Sequence, residues 1–279
     1  MSNWLTHCAG AAVAGAFWLA GATGVPAQTI VSTGESFVSA RLLPGIREEG
    51  GARLMGLRLT LKPGWKTYWR NPGSAGIPPQ FDWSESENVG SVQIMWPRPE
   101  VFQSFGLQTI GYSERVVFPV RVTPADPAAP IAIGLTADLG VCKELCVLEQ
   151  VTLSETIGQE TPDIGSREIR RAYRSVPPIG REAGLTEMAC RIFPKGDAYR
   201  FEASMIFAAP FSSPVVLAEG GERLWVNKTE AHVNGTAVEI AGQIETTDGS
   251  TWIDRDDLRF TVLDGLNSAD IRGCRRVTG

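Results

Sequence analysis

The sequence predicts an all-β protein built as two β-sandwich domains. Three observations point there. Short runs of alternating apolar and polar residues are separated by Gly/Pro turns, the composition is globular and turn-rich (43% hydrophobic, 20% charged, 30 Gly, 18 Pro), and the 279 residues exceed one average domain. The alternating pattern is interrupted once, between residues 161 and 178, which sets the expected boundary.

Residues 1–27 read as a secretory signal peptide. The small-residue apolar run CAGAAVAGAFWLA (8–20) is followed by Val25-Pro26-Ala27, a cleavage signal ahead of Gln28, although the opening MSNWLTH lacks the usual Lys or Arg. The run breaks at residues 21–24 and is too short for a transmembrane anchor. Cys8 precedes the run instead of ending it, which argues against a lipoprotein. No later segment is long and apolar enough to span a bilayer, so the mature chain is expected in the periplasm without membrane insertion.

The first domain is expected over 28–158. In Arg53–Leu61 the residues Leu57, Leu59 and Leu61 share one face while Arg58 and Thr60 share the other, as in a half-buried strand, and Lys62-Pro63-Gly64 turns it. Further strands are expected at 66–70, 89–96, 115–122, 131–137 and 147–153, with Asn71-Pro72-Gly73 and 124–130 as punctuation. A linker is expected over 159–184, in which Ser166 caps a short helix ending before Pro177-Pro178 and the basic residues form a solvated face. The second, smaller domain, 185–279, should have strands at 188–193, 199–207, 215–217, 224–226, 231–240, 258–263 and 269–272.

Net charge −5 and the lack of any Lys/Arg cluster give no field for phosphate backbones, so no nucleic-acid partner is expected. Removal of the signal peptide takes Cys8 and leaves Cys142, Cys146, Cys190 and Cys274. An even number in an oxidising compartment suggests two disulfides. Of the three connectivities, 142–146 with 190–274 is favoured, because the first two are neighbours and the last two bracket the C-terminal half. Cys190–Cys274 then reads as a structural staple closing a loop of more than 80 residues.

The segment Asp138 to Glu149 carries the candidate chemistry. Cys142 and Cys146, three residues apart between two strand-like runs, can close into a small ring only if the turn brings their Cα atoms within about 7 Å. Such a ring restricts little chain entropy, so reversible opening explains it better than stabilisation does. Lys143 favours a thiolate nearby and Glu144 opposes it. A plain structural disulfide and a metal site remain as alternatives. Closed zinc coordination needs four N or S ligands, and the mature chain offers one distant histidine, His232. Cu(I) on the two thiolates needs no third ligand. No cofactor is expected.

Several blocks resemble the amino-terminal periplasmic domain of the DsbD thiol:disulfide interchange proteins, particularly the branch named for suppression of copper sensitivity. They are Leu61-Lys62-Pro63-Gly64-Trp65-Lys66-Thr67-Tyr68-Trp69-Arg70-Asn71-Pro72-Gly73, Trp96-Pro97, Gly111-Tyr112 with Val117-Phe118-Pro119-Val120, the stretch from Cys142 to Glu149, and Asp270-Ile271-Arg272-Gly273-Cys274. The resemblance implies an immunoglobulin-like sandwich whose disulfide passes reducing equivalents to thioredoxin-like periplasmic partners, and recharging by a membrane-embedded domain. It implies that Cys146 forms the mixed disulfide and Cys142 resolves it. It also implies that a phenylalanine, Phe105 or failing that Phe102, shields the pair, and that Tyr68 and Trp69 lie beside it.

Two features depart from the family. Its better-known members space these cysteines more widely. They also continue into a multi-helix membrane domain and a thioredoxin-like C-x-x-C domain that this sequence lacks. A separate membrane electron-transfer protein is therefore the expected source of electrons, with oxidative transfer, copper tolerance or a non-enzymatic interaction role as alternatives.

Overall fold

A computed structural model describes residues 36–275 apart from 74–75, 105–106, 197, 222 and 251. The expected signal peptide and Phe105 lie outside the described residues. The chain is all-β, with four sheets and one α-helix among the described residues.

The first sandwich packs two sheets face to face. One has the order β1 (Val38–Arg47), β2 (Arg53–Leu61), β8 (Arg115–Pro124), β5 (Val89–Ile94). The other has the order β10 (Cys146–Ile157), β9 (Ile131–Cys142), β3 (Lys66–Gly73), β7 (Leu107–Ser113), β6 (Glu100–Ser104), with β4 (Gln80–Asp82) also on β9. The alternation read at Leu57, Leu59 and Leu61 sends all three into the core, where Trp69, Phe118, Leu135, Leu139 and Val151 meet them. Phe118 is ringed by Trp96, Phe81 and Tyr112 in edge-on contacts that suit aromatic quadrupoles.

The second sandwich pairs a four-stranded sheet, β11 (Leu185–Lys195), β12 (Ala198–Phe207), β15 (Ala237–Thr246), β14 (Leu224–Asn234), with a three-stranded one, β13 (Val215–Glu219), β16 (Arg259–Asp264), β17 (Asn267–Arg272). Its core contains Phe201, Met205, Ile240, Phe260, Val262 and both Cys190 and Cys274. The two sandwiches touch. Leu217 and Leu263 of the second pack against the core of the first, and Arg70 of β3 donates to Glu219 Oε2 at 2.9 Å and Thr261 Oγ1 at 3.0 Å.

The structure corrects several local expectations. The expected strand 231–240 straddles a turn: β14 ends at Asn234, Gly235 takes φ 62°, and β15 starts at Ala237. Asn-Gly is a strong hairpin signal, and the apolar residues on both sides of it masked the break. Asn71-Pro72-Gly73 belongs to β3, although the pairing register with β7 is lost between Tyr68 and Gly73, as the missing N–H of Pro72 requires. The β6–β7 hairpin and β4 were not expected at all.

Helix α1 (Ser166–Arg174) forms where expected, yet its N-cap is Gly165 in the left-handed region, and no side chain caps it. Its basic residues Arg167, Arg170, Arg171 and Arg174 are exposed, as expected, while the opposite face docks. Ile169 is fully buried against Leu43, Leu54 and Val117 on the outer face of the β1–β2–β8 sheet, and Arg58 pairs with Glu168 at 3.3 Å. Among the described residues no helix is long and apolar enough to cross a membrane.

Candidate functional site at the end of the β9–β10 hairpin

The site is made by a long hairpin. β9 and β10 stay in register for twelve residue pairs from Ile131↔Ile157 to Cys142↔Cys146. Residues 143–145 close the turn, with Lys143 N–H donating to the Leu145 carbonyl at 3.1 Å. Strict alternation puts Leu135, Ala137, Leu139 and Val141 of β9 into the core. The other face therefore holds Cys142 and Cys146 and, one step down, Gly140 and Leu148. Cys142 and Cys146 form a disulfide with a Cα separation of 4.1 Å.

Strand β3 completes the site from the side. Lys66 stands in register with Cys142 and Thr67 with Val141, and Thr67 Oγ1 donates to the Gly140 carbonyl at 3.0 Å, fixing that register. Side chains two apart on a strand share a face, so Lys66 and Tyr68 both point to the sulfurs. Gly140 is needed here: a Cβ would stand 2.7 Å from Ile77 Cβ and 2.8 Å from the Ile77 carbonyl oxygen, so only glycine lets the 76–79 segment cross the hairpin. Gly76 likewise lies flat on the Tyr68 ring, where a Cβ would meet Cε1 at 2.5 Å.

The two sulfurs are unequal. Cys142 is 8% exposed, whereas Cys146 is on the surface. The Tyr68 hydroxyl donates to Cys142 Sγ at 2.8 Å and lies 3.5 Å from Cys146 Sγ. Burial raises the Tyr68 phenol above its ordinary range, so it keeps its proton wherever a thiolate forms beside it. A cleft of about 110 Å³ opens onto the pair, lined by Lys66, Tyr68, Phe102, Leu107, Thr109 and Lys143 among others. Lys66 Nζ rests 4.1 Å from the centre of the Phe102 ring.

Of the residues singled out in the sequence, the structure brings Cys142, Cys146, Tyr68 and Phe102 together. It places Trp69 elsewhere. Trp69 is fully buried, and strand alternation turns it to the core face, where the Arg70 guanidinium stacks on it at 3.7 Å. Cys190 and Cys274 are bonded to each other in the second sandwich, with a Cα separation of 5.1 Å, and are 9% and 0% exposed. Sequence reasoning missed Lys66, Ile77 and Leu107 at the site. Lys66 was detectable, because a residue two positions before Tyr68 on a strand must share its face. The other two arrive from segments with no local signal. Among the described residues no three His, Cys, Asp or Glu side chains converge as a metal site.

Residues 39–157 match the family model described as thiol:disulfide interchange protein DsbD, N-terminal. Among solved structures, the N-terminal periplasmic domain of ScsB from Proteus mirabilis is similar, with a TM-score of 0.66 and 21% identity over 91% of this chain and 99% of that one. At that identity the likeness is one of fold, and its coverage takes in both sandwiches. Comparison with curated protein sequences gives no match.

Proposed function

We propose, on the match of residues 39–157 to the family of the N-terminal domain of the thiol:disulfide interchange protein DsbD, that this chain exchanges its Cys142–Cys146 disulfide with thioredoxin-like proteins of the periplasm. The observation that carries the proposal is the inequality of the sulfurs. Cys146 is exposed, and Cys142 is covered and hydrogen-bonded by Tyr68.

A partner's thiolate reaches Cys146 Sγ. The Cys142–Cys146 bond breaks as the intermolecular bond forms, and the electron pair leaves on Cys142 Sγ. The Tyr68 hydroxyl, already 2.8 Å away, donates to that developing thiolate and lowers the cost of its departure. In the second step, a second thiolate of the partner attacks its own sulfur in the mixed disulfide and leaves Cys146 reduced. Run in reverse, Cys146 attacks a partner disulfide and Cys142 then expels the partner. Phe102 on β6, beside the cleft, shields the pair from small reagents in this reading. A separate membrane protein serves as the electron source, and export through residues 1–27 delivers the chain to its compartment. The periplasmic origin named for the similar ScsB domain supports that location.

The test uses Cys142→Ala and Cys146→Ala in a Cys8→Ser background, each mixed with a thioredoxin-fold protein retaining only its attacking cysteine, supplied as an activated mixed disulfide. Non-reducing mass analysis should show an adduct with Cys142→Ala, through Cys146, and about tenfold less or none with Cys146→Ala. Adduct formation on Cys142 in preference to Cys146, or on neither, would remove the assignment.

A further inference from the structure

The surface around the disulfide has a chemical character of its own. In the described part of the first sandwich, the large apolar side chains left exposed are Ile77, Val101, Leu107, Leu145 and Leu148, and four of these five stand at the disulfide. Leu145 is the tip of the turn between the cysteines and is 77% exposed. Leu148 shares the hairpin face of Cys146 and is 63% exposed, and the Ile77 segment crosses that same face at Gly140. Leu107 lines the cleft with both sulfurs. Apolar side chains gathered around one reactive group mark an interaction surface.

The charged side chains that line the cleft, Lys66 and Lys143, are both positive, against a chain of net charge −5, and Glu100 on the neighbouring β6 is engaged by Ser113 Oγ at 2.9 Å. The chain has five lysines, and the three in the first sandwich are Lys62, Lys66 and Lys143. Lys66 is the cross-strand neighbour of Cys142, with its ammonium over Phe102. Lys143 bends over the preceding turn, where a Cβ on Gly64 would stand 3.1 Å from its Cε. The cleft lining contains both lysines and no carboxylate. Of the two nearest acids on the hairpin, Glu149 accepts from Phe37 N–H at 2.6 Å and from Ser36 Oγ, so its charge is already engaged. Glu144 stands in the turn itself and partly offsets Lys143.

We propose that this face is a docking surface for a protein partner whose reactive cysteine lies in an apolar patch bordered by carboxylates. The apolar residues supply contact area, and Lys66 and Lys143 select by charge which cysteine-bearing surface approaches Cys146. The inference rests on the exchange reading above and deepens it by specifying the partner's surface. Charge complementarity of this kind acts mainly on association and is screened by salt.

Cysteine peptides carrying a thionitrobenzoate leaving group provide the test. They are identical except that leucine-cysteine-leucine is flanked by glutamates, glutamines or lysines. The protein, as Cys8→Ser with Cys142–Cys146 reduced, is mixed with each. The Cys146 thiolate attacks the peptide sulfur and thionitrobenzoate leaves with the electron pair, giving a coloured product. Cys142 then attacks Cys146 Sγ and releases the peptide thiol. At low ionic strength the glutamate peptide should react about three- to tenfold faster than the lysine peptide, and the ratio should fall towards one at about 0.5 M salt.

In Lys66→Gln/Lys143→Gln the ratio should also fall towards one. The ratio is the readout because any change in thiolate reactivity caused by removing the lysines affects all peptides alike. Leu148→Ser should slow the leucine-cysteine-leucine peptide flanked by glutamines, relative to an added serine-cysteine-serine peptide with the same flanks, by about two- to fivefold, as expected for losing part of one buried apolar contact. Equal rates for acidic and basic peptides in the wild type, or faster reaction of the basic one, would overturn the proposal while leaving exchange intact. Absence of release from every peptide would overturn exchange itself, and this surface with it.

Discussion

Cys142–Cys146 closes a three-residue turn at the rim of the first sandwich, leaves one sulfur on the surface and has a tyrosine hydroxyl against the other. Cys190–Cys274 joins β11 to the residue two beyond β17, spans 84 positions, and is sealed in the second core, where Arg255 donates to both cysteine carbonyls at 3.3 Å. Two bonds of the same chemistry therefore serve different ends. The loop-entropy relation assigns about 4–5 kcal/mol to the long closure and only about 2 kcal/mol to the short one. Accessibility runs the other way, since Cys146 is exposed to an attacking thiolate whereas Cys274 is fully buried in the second core.

The largest expected effect breaks the comparison at its stabilising end. Cys190→Ala/Cys274→Ala should lower the unfolding free energy by about 4–5 kcal/mol in urea titration, against about 2 kcal/mol or less for Cys142→Ala/Cys146→Ala. Mild reductant followed by alkylation and peptide mapping should label Cys142 and Cys146 while Cys190 and Cys274 stay protected. Comparable losses in the two variants, or labelling of the buried pair first, would show that the division of labour is wrong.

A second effect asks whether the two regions are energetically joined. Arg70 lies two residues beyond Tyr68 on β3, and its guanidinium is lodged in the second sandwich on Glu219 and Thr261, with both ionic side chains little exposed at 13% and 12%. Burial lowers the Arg70 pKa, and Glu219 is the chief group opposing that shift. Glu219→Ala removes the carboxylate bonded to this buried cation and leaves it the Thr261 hydroxyl and the Trp69 ring, at a cost of about 3 kcal/mol. Unfolding should then separate into two transitions with the second sandwich melting first, as followed by calorimetry. A single unshifted transition would show that the Arg70–Glu219 pair does not join the domains energetically.

How much of this was legible in the sequence follows range of interaction. Part of the first sandwich declared itself through local alternation, as in β2 at Leu57, Leu59 and Leu61, and the disulfide pairings followed from spacing. What was not legible depends on register between distant segments. Lys66 meets Cys142 across 76 positions and Arg70 meets Glu219 across 149, and no local pattern encodes either contact. Helix α1 illustrates a different failure. Its arginines dominated the reading, while the one apolar residue that docks it, Ile169, is too few to give a face a visible period. The resemblance placed Trp69 beside the site together with Tyr68, although alternation puts neighbours on opposite faces of a strand.

The smallest expected effect sharpens the comparison at its reactive end. Tyr68→Phe keeps the ring that Gly76 packs against and removes only the hydroxyl that donates to Cys142 Sγ. A hydrogen bond to a developing thiolate contributes about 1.5 kcal/mol, so opening of Cys142–Cys146 by a small thiol should slow about tenfold. The potential should become more negative by up to about 30 mV, because the reduced form loses the support. The pH dependence distinguishes hydrogen-bond donation from proton exchange. Burial raises the Tyr68 phenol above its ordinary value near 10, so the neutral donor is present throughout pH 6–9. The ratio of wild-type to variant rates should accordingly stay flat across that window when measured against a fixed thiolate concentration. A ratio that collapses between pH 7 and 9 would mean that Tyr68 titrates within the working range and acts as an acid, whereas the geometry assigns it the role of a fixed donor.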